Sequence, residues 1–204
     1  MKQYGKLFVI SGPSGTGKGT ICNALVKDND RLVVSVSMTT RQPRKGEVHG
    51  VNYYFVDVAE FEDTIAKNGL LEYAKVYENY YGTPRKMVME ELEKGNDVLL
   101  EIDIQGATKV KDAYPEGIFI FVLPPSLAKL RERIENRGTD SKEVIDLRMS
   151  KAAGEIQWLK EYDYYVVNDN LEDAIARTKE IMSVAHQKID DCIDALLEGY
   201  KEDN

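Results

Sequence analysis

The chain has 204 residues, 43% of them hydrophobic and 30% charged, with 35 Asp and Glu against 27 Lys and Arg for a formal net charge of −8. That size suits one sizeable core carrying insertions, or at most two small domains. The acidic balance argues against general binding of DNA or RNA, and no apolar run is long enough to span a membrane. The N-terminal residues run straight into the first strand with no secretory signal pattern. Cys22 and Cys192 are the only cysteines, so a reducing cytoplasm is expected.

Lys6–Ile10 reads as a buried strand and Gly17–Lys27 as an amphipathic helix. Between them lies Ser11-Gly12-Pro13-Ser14-Gly15-Thr16-Gly17-Lys18-Gly19-Thr20. Strand, glycine loop and helix is the context in which Gly-x-x-x-x-Gly-Lys binds phosphate. The glycines let backbone N–H groups turn inward, the helix start contributes a positive dipole end, and Lys18 adds a full charge. Gly19 stands where a Ser or Thr would normally ligate magnesium, and Thr20 comes one position later.

Arg31–Ser37 reads as a strand, Thr39 to Gly50 as an exposed polar loop and Asn52–Val56 as a further strand. Val58–Lys67 is a short helix ended by Asn68-Gly69, and Leu70–Tyr77 is strand-like. Thr83-Pro84 reads as a helix start, with Thr as N-cap, and that helix runs to Lys94 before Gly95. Asp97–Ile104 is an apolar strand that ends in acids; alternation would put Glu101 and Asp103 on one face. Gln105–Ala113 is a helix, and Gly117–Leu123 a buried strand stopped by Pro124-Pro125. Ser126 caps a helix to about Asn136, and another begins near Ser141. Trp158 is expected in the core, Tyr164–Val167 is a last strand, and Leu171 to Leu197 a long helical tail.

Strands alternating with helices predict a three-layer α/β fold with a mainly parallel central sheet. Residues 1–36, 94–125 and 152–204 would form its ATP-binding core, 37–93 a mixed α/β insertion and 126–151 a helical, arginine-rich lid. Arg41 and Arg44 flank Pro43 in the exposed loop. Guanidinium forks can clamp a phosphate dianion, although two arginines alone also suit a solvated basic loop. Glu72, between apolar neighbours, is either outward-facing or needs a donor partner. Guanine offers two adjacent donors, N1–H and the exocyclic amine, that match one carboxylate. Arg133 and Arg137 share a helix face, suiting either a solvated surface or cis arginine fingers on a transferring phosphoryl group. His49 and His186 have no neighbouring ligand set.

These residues together resemble guanylate kinases. The resemblance covers essentially the whole chain and rests on Ser35-Val36-Ser37-Met38-Thr39-Thr40-Arg41-Gln42-Pro43-Arg44, Gly46-Glu47-Val48-His49-Gly50, Asn79-Tyr80-Tyr81-Gly82-Thr83, Ile102-Asp103-Ile104-Gln105-Gly106, Arg137-Gly138 and Val167-Asn168-Asp169. It implies a P-loop kinase type of this fold and transfer of the γ-phosphoryl group of ATP to GMP, and to dGMP. Ser37, Glu72 and Thr83 would read the guanine edge, while Arg41, Arg44, Tyr53 and Tyr81 hold the GMP phosphate with Glu47 beside them. Asp103 would lie near metal and acceptor. Lys18, Arg133, Arg137 and Arg148 would surround the transferred group, and Asn168 would lie near the adenine. Magnesium is expected through ATP oxygens and waters, with Thr20 and Asp103 as candidate protein contacts. Rival readings are a kinase for AMP, UMP or a deoxynucleotide, and a non-catalytic scaffold module that binds phosphopeptides. The helical tail could pack on the core or on a second copy in a homodimer.

Overall fold

A computed structural model of the chain describes residues 4–136, 141–188 and Leu197. Five strands form one wholly parallel sheet: β1 (Leu7–Ser11), β2 (Leu32–Val34), β7 (Asp97–Glu101), β8 (Ile118–Leu123) and β9 (Tyr164–Val167), in the order β2-β7-β1-β8-β9. Parallel strands are covered on both faces, which is why the central ones read as unbroken apolar runs. Alternate residues of β1 feed opposite layers. Phe8 and Ile10 pack with Ile21 and Leu25 of helix α1 (Lys18–Lys27) and Met182 of helix α7 (Leu171–Ala185). Leu7 and Val9 pack with Val88 and Leu92 of α3 (Arg85–Glu93) and Ala107 and Val110 of α4 (Ile104–Ala113). Each fully buried Phe, Leu or Ile contributes about 1.5–3 kcal/mol of transfer free energy. The result is the three-layer α/β fold expected from the alternation of elements.

The excursion after β2 forms a second sheet. Its strands are β3 (Met38–Thr39), β4 (Tyr54–Phe55), β5 (Leu70–Val76) and β6 (Asn79–Pro84), in the order β4-β3-β6-β5. β3–β4 is a parallel pair, while β6 runs antiparallel to both β3 and β5. Helix α2 (Val58–Ala66) is capped by Asp57, which accepts from the Glu60 N–H, and buries Phe61 stacked on the Tyr80 ring at 5.1 Å. After β8, helices α5 (Leu127–Glu135) and α6 (Lys142–Ile156) pack on each other through Leu130, Ile134, Ile145 and Ala152, a cluster separate from both sheet layers. Arg131 on α5 reaches Asp146 on α6 at 2.7 Å.

Several expectations shift. Thr83 does not cap a helix: β6 continues through Pro84, and the Thr83 hydroxyl is engaged across the sheet by Glu72. Sequence patterning missed this strand because Tyr80-Tyr81-Gly82 sits beside a Thr-Pro pair that is also an ordinary helix entry. The second parallel strand is confined to Leu32–Val34. β7 stops at Glu101, and Asp103 is instead the N-cap of α4, accepting from the Gly106 N–H at 2.7 Å. Helix α6 extends past the expected end at Lys151 to Ile156. Trp158 lies on a short 3-10 turn, Gln157–Glu161, and is 46% exposed. Of the expected tail, α7 runs to Ala185 and the chain is described to Lys188; residues 189–196 and the segment carrying Arg137 lie outside the described residues, and Leu197 is exposed.

Candidate active site

The glycine loop leaves the buried C-terminal end of the central strand β1, where ligands gather in open α/β sheets. Gly12 has φ +139°, and a Cβ there would fall 2.3 Å from the Val122 carbonyl oxygen of β8. Only glycine lets the loop turn against its neighbouring strand. Gly17, at φ +92°, is the N-cap of α1. The Lys18 ammonium donates to the carbonyls of Gly12 and Pro13 at 2.6 and 3.0 Å. Burial pushes its pKa down, and nearby Glu101 opposes that shift. Thr16 is fully buried, with its hydroxyl donating to the Pro13 carbonyl at 3.0 Å.

In front of the loop lies a cavity of about 500 Å³, walled by Gly12, Ser14, Gly15, Gly17, Lys18, Gly19 and exposed Thr20 on one side. Its other side carries Glu101, Asp103 and Glu155. Glu155 lies beyond the arm expected to end at Lys151 and carries no expected role. The available signal was helical spacing: Glu155 follows Arg148 by two turns on one face of α6. Gly19 leaves space that Glu101 fills, because a Cβ at that position would meet both Glu101 carboxylate oxygens at 3.3 and 3.4 Å. A second cavity, of about 390 Å³, lies at the opposite end of the sheet. There Lys179 is paired with Asp28 and His186 with Asp97.

The insertion brings together most of the expected monophosphate residues. Arg41 is held by Glu47 at 2.9 Å and by the Gln42 carbonyl at 2.8 Å. Its guanidinium lies 5.4 Å from the Tyr53 ring centroid, and the Tyr53 and Tyr81 rings meet edge to face at 6.0 Å. Glu47 also accepts from the Arg44 N–H at 2.7 Å, shaping the loop so that the exposed Arg44 side chain stands next to this group. Hydrogen bonding from Arg41, then from the Arg44 backbone, pulls the Glu47 pKa down, so the carboxylate stays ionised. Because Glu47 fixes a half-buried fork, Arg41→Lys is expected to raise the KM for a nucleoside monophosphate about 10-fold or more while sparing the KM for ATP. Steady-state kinetics with each substrate varied in turn checks this.

Tyr81 and Thr83 alternate along β6 and share one face. Glu72, opposite Thr83 on β5, accepts from its hydroxyl at 2.8 Å. The other Glu72 oxygen approaches Gly106, on the same side as Asp103. Burial pushes the Glu72 pKa up; the Thr83 hydrogen bond opposes the shift, and the Asp103 charge adds to it. Ser37 lies at the entry to β3, where its carbonyl accepts from the Tyr54 N–H. One strand face therefore carries a phenol–guanidinium group at one end and a hydroxyl–carboxylate pair at the other.

Arg133 and Asn168 are engaged away from the cavity, and Arg148 lies on α6 two turns before Glu155. Arg133 is turned from the cavity and donates to the carbonyls of Asn168 and Asp169 at 2.8 and 3.2 Å. Arg148 is half-buried on α6. Asn168 is 5% exposed, and its side-chain N–H donates to the Thr16 carbonyl at 2.8 Å.

A parallel sheet with this loop at its central strand, a separate small sheet and a two-helix arm define a P-loop kinase fold. The guanylate kinase family model matches residues 4–185. The chain is 50% identical over 199 residues to a guanylate kinase of Clostridioides difficile, covering 98% of this chain and 97% of the relative. It is 53% identical over 195 residues to a guanylate kinase of Clostridium tetani, covering 96% and 93%. The crystal structure of guanylate kinase from Anaplasma phagocytophilum superposes with a TM-score of 0.72 at 36% identity, covering 97% of this chain and 95% of that one. The chain belongs to the guanylate kinase family.

Proposed function

We propose that the chain transfers the γ-phosphoryl group of ATP to GMP, and to dGMP, giving ADP and GDP in purine nucleotide metabolism. The observation that carries this reading is the pairing of Glu72 with Thr83 on the same strand face as Tyr81, whose ring meets Tyr53 beside the Arg41 guanidinium. A carboxylate at one end suits the N1–H and amine of guanine, and a guanidinium–phenol pair at the other suits its 5′-phosphate. Ser37 stands beside the base-reading end, and Arg44 and Tyr53 complete the phosphate end. Adenine has no matching pair of donors on that edge.

ATP would lie across Gly12–Thr20, with Pro13 and Thr16 shaping the loop from behind and Lys18 leaving the loop carbonyls for phosphate oxygens. Residues 1–36, 94–125 and 152–204 then act as the ATP-binding core, 37–93 as the GMP-binding insertion and 126–151 as the lid. Closure of the insertion and lid would exclude water and bring Arg133, Arg137 and Arg148 to the transferring group. Arg133 would exchange its hold on the 168–169 carbonyls for phosphate oxygens. A phosphate monoester oxygen is already anionic at neutral pH, so no general base is needed. Alignment and charge compensation carry the reaction.

The site suits magnesium held mainly by the nucleotide. Gly19 supplies no hydroxyl, and no cluster of three or more His, Cys, Asp or Glu among the described residues could form a cage. The carboxylates facing the loop, Glu101 and Asp103, with the Thr20 hydroxyl, match an ion that keeps several waters and takes one or two protein oxygens. Bound there, it would neutralise charge on the β- and γ-phosphoryl oxygens. No described helix is long and apolar enough to cross a membrane; the enzyme proposed here acts on small-molecule substrates, and its location is proposed to be cytoplasmic. A coupled assay offering ATP with GMP, dGMP, AMP, UMP and CMP in turn is expected to give turnover with the guanine nucleotides alone. Comparable turnover with AMP would refute the proposal.

A further inference from the structure

We propose that Asn168 is a positioning residue for the polyphosphate, acting through the main chain of the glycine loop and not through the nucleotide base; this rests on the ATP site proposed above. The Thr16 carbonyl can only accept, so the side-chain atom 2.8 Å from it is the Asn168 Nδ2 donor. The contact is buried at both ends, with Asn168 5% and Thr16 0% exposed. Asn168 is itself anchored twice. Its N–H donates to the Leu123 carbonyl at 2.8 Å, and its own carbonyl accepts from Arg133 at 2.8 Å.

The consequence follows from peptide geometry. Thr16 C=O and Gly17 N–H belong to one planar trans peptide and point in opposite directions. Asn168 holds the oxygen on the buried side, where Thr16 sits, so the Gly17 N–H is turned toward the side on which Gly17 lines the cavity. Without this tie the peptide plane is free to rotate, and the loop loses a preorganised donor. The side-chain amide also fills the space that makes glycine necessary at position 17: a Cβ there would fall 2.4 Å from Nδ2. Because the same residue holds Arg133 through its carbonyl, movement of the arm and the setting of the loop share one element.

A loop-positioning role affects every polyphosphate ligand, whereas a base contact affects only nucleotides. Isothermal titration of the full chain with ATP, GTP, GMP and inorganic tripolyphosphate separates them, since tripolyphosphate has no base. Asn168→Ala is expected to weaken ATP, GTP and tripolyphosphate alike by about 10-fold, with GMP within twofold of the parent. Asn168→Leu keeps the volume but cannot donate, and is expected to do the same; it decides the matter should the alanine chain not fold. In kinetics the KM for ATP rises and the KM for GMP does not. Loss of ATP binding with tripolyphosphate untouched would overturn the inference in favour of a base contact. Unchanged binding of all ligands would overturn it outright. A parent chain that bound neither ATP nor tripolyphosphate would refute the ATP site itself.

Discussion

Glu72→Ala is expected to cut the preference for GMP over AMP by about 10²–10⁴-fold, since two charge-assisted hydrogen bonds of roughly 1.5–3 kcal/mol each are lost with the guanine base alone. The ratio of kcat/KM values for the two monophosphates reads it directly, and an unchanged ratio would refute the base-reading role. Glu72→Gln keeps an oxygen for the Thr83 hydroxyl but replaces one acceptor by a donor that faces a guanine donor, so it should lose most of the same selectivity. The raised pKa adds a pH signature. GMP affinity should fall as the pH drops through the Glu72 value, which burial places above the ordinary carboxylate range. The stability effect has the opposite sign. As the pH rises past the ordinary carboxylate range, the unfolded chain releases this proton before the folded chain does. Folding therefore loses stability until the folded group ionises. Glu72→Gln should accordingly raise the melting temperature of the nucleotide-free protein at neutral pH while impairing specificity, the trade expected when a functional charge is held in a desolvated place.

Lys18→Ala is expected to lower kcat/KM by about 10³-fold or more, because it removes a full charge from the group that would meet the β- and γ-phosphoryl oxygens. Its two present partners, the Gly12 and Pro13 carbonyls, are loop oxygens that water can serve after truncation. The fold should survive: burial disfavours the ammonium form, and the lowered pKa means that the charge is a cost to the folded state. A circular-dichroism melt within a few degrees of the parent, together with lost turnover in the coupled assay, is the expected pair of results. Near-parental turnover would remove phosphoryl transfer at this loop. Lys18→Arg should not restore activity, since a planar fork cannot take the place of a compact ammonium in this turn.

What was legible in the sequence was whatever depends on local pattern. The apolar run Leu7-Phe8-Val9-Ile10, the glycine loop and the helix after it form one contiguous unit, and its conformation follows from the needs of glycine backbone and helix start. The same holds for the runs at Val98-Leu99-Leu100 and Phe119–Val122, where burial on both faces removes any ambiguity of period. Gly95 and the Asn68-Gly69 pair end their helices as expected, with positive φ at Gly95 and Asn68. The motifs resembling guanylate kinases were also local, and the family membership followed from them.

Tertiary structure decided which partner each polar group takes. Thr83 had the local chemistry of a cap, yet its hydroxyl serves Glu72 eleven residues earlier, since strand pairing offers a buried carboxylate there. Asp103 read as a strand residue beside Glu101, but α4 begins at once and uses it to satisfy the Gly106 N–H. Arg133 and Asn168 lie 35 residues apart in sequence and meet only because β9 returns beside β8, next to the arm. Composition and periodicity thus determined the layers and the phosphate loop, where each residue's preference is satisfied by neighbours in sequence. The sharing of donors and acceptors around the cavity was settled only by the packed chain, because a hydrogen bond goes to whatever complementary atom folding brings within reach.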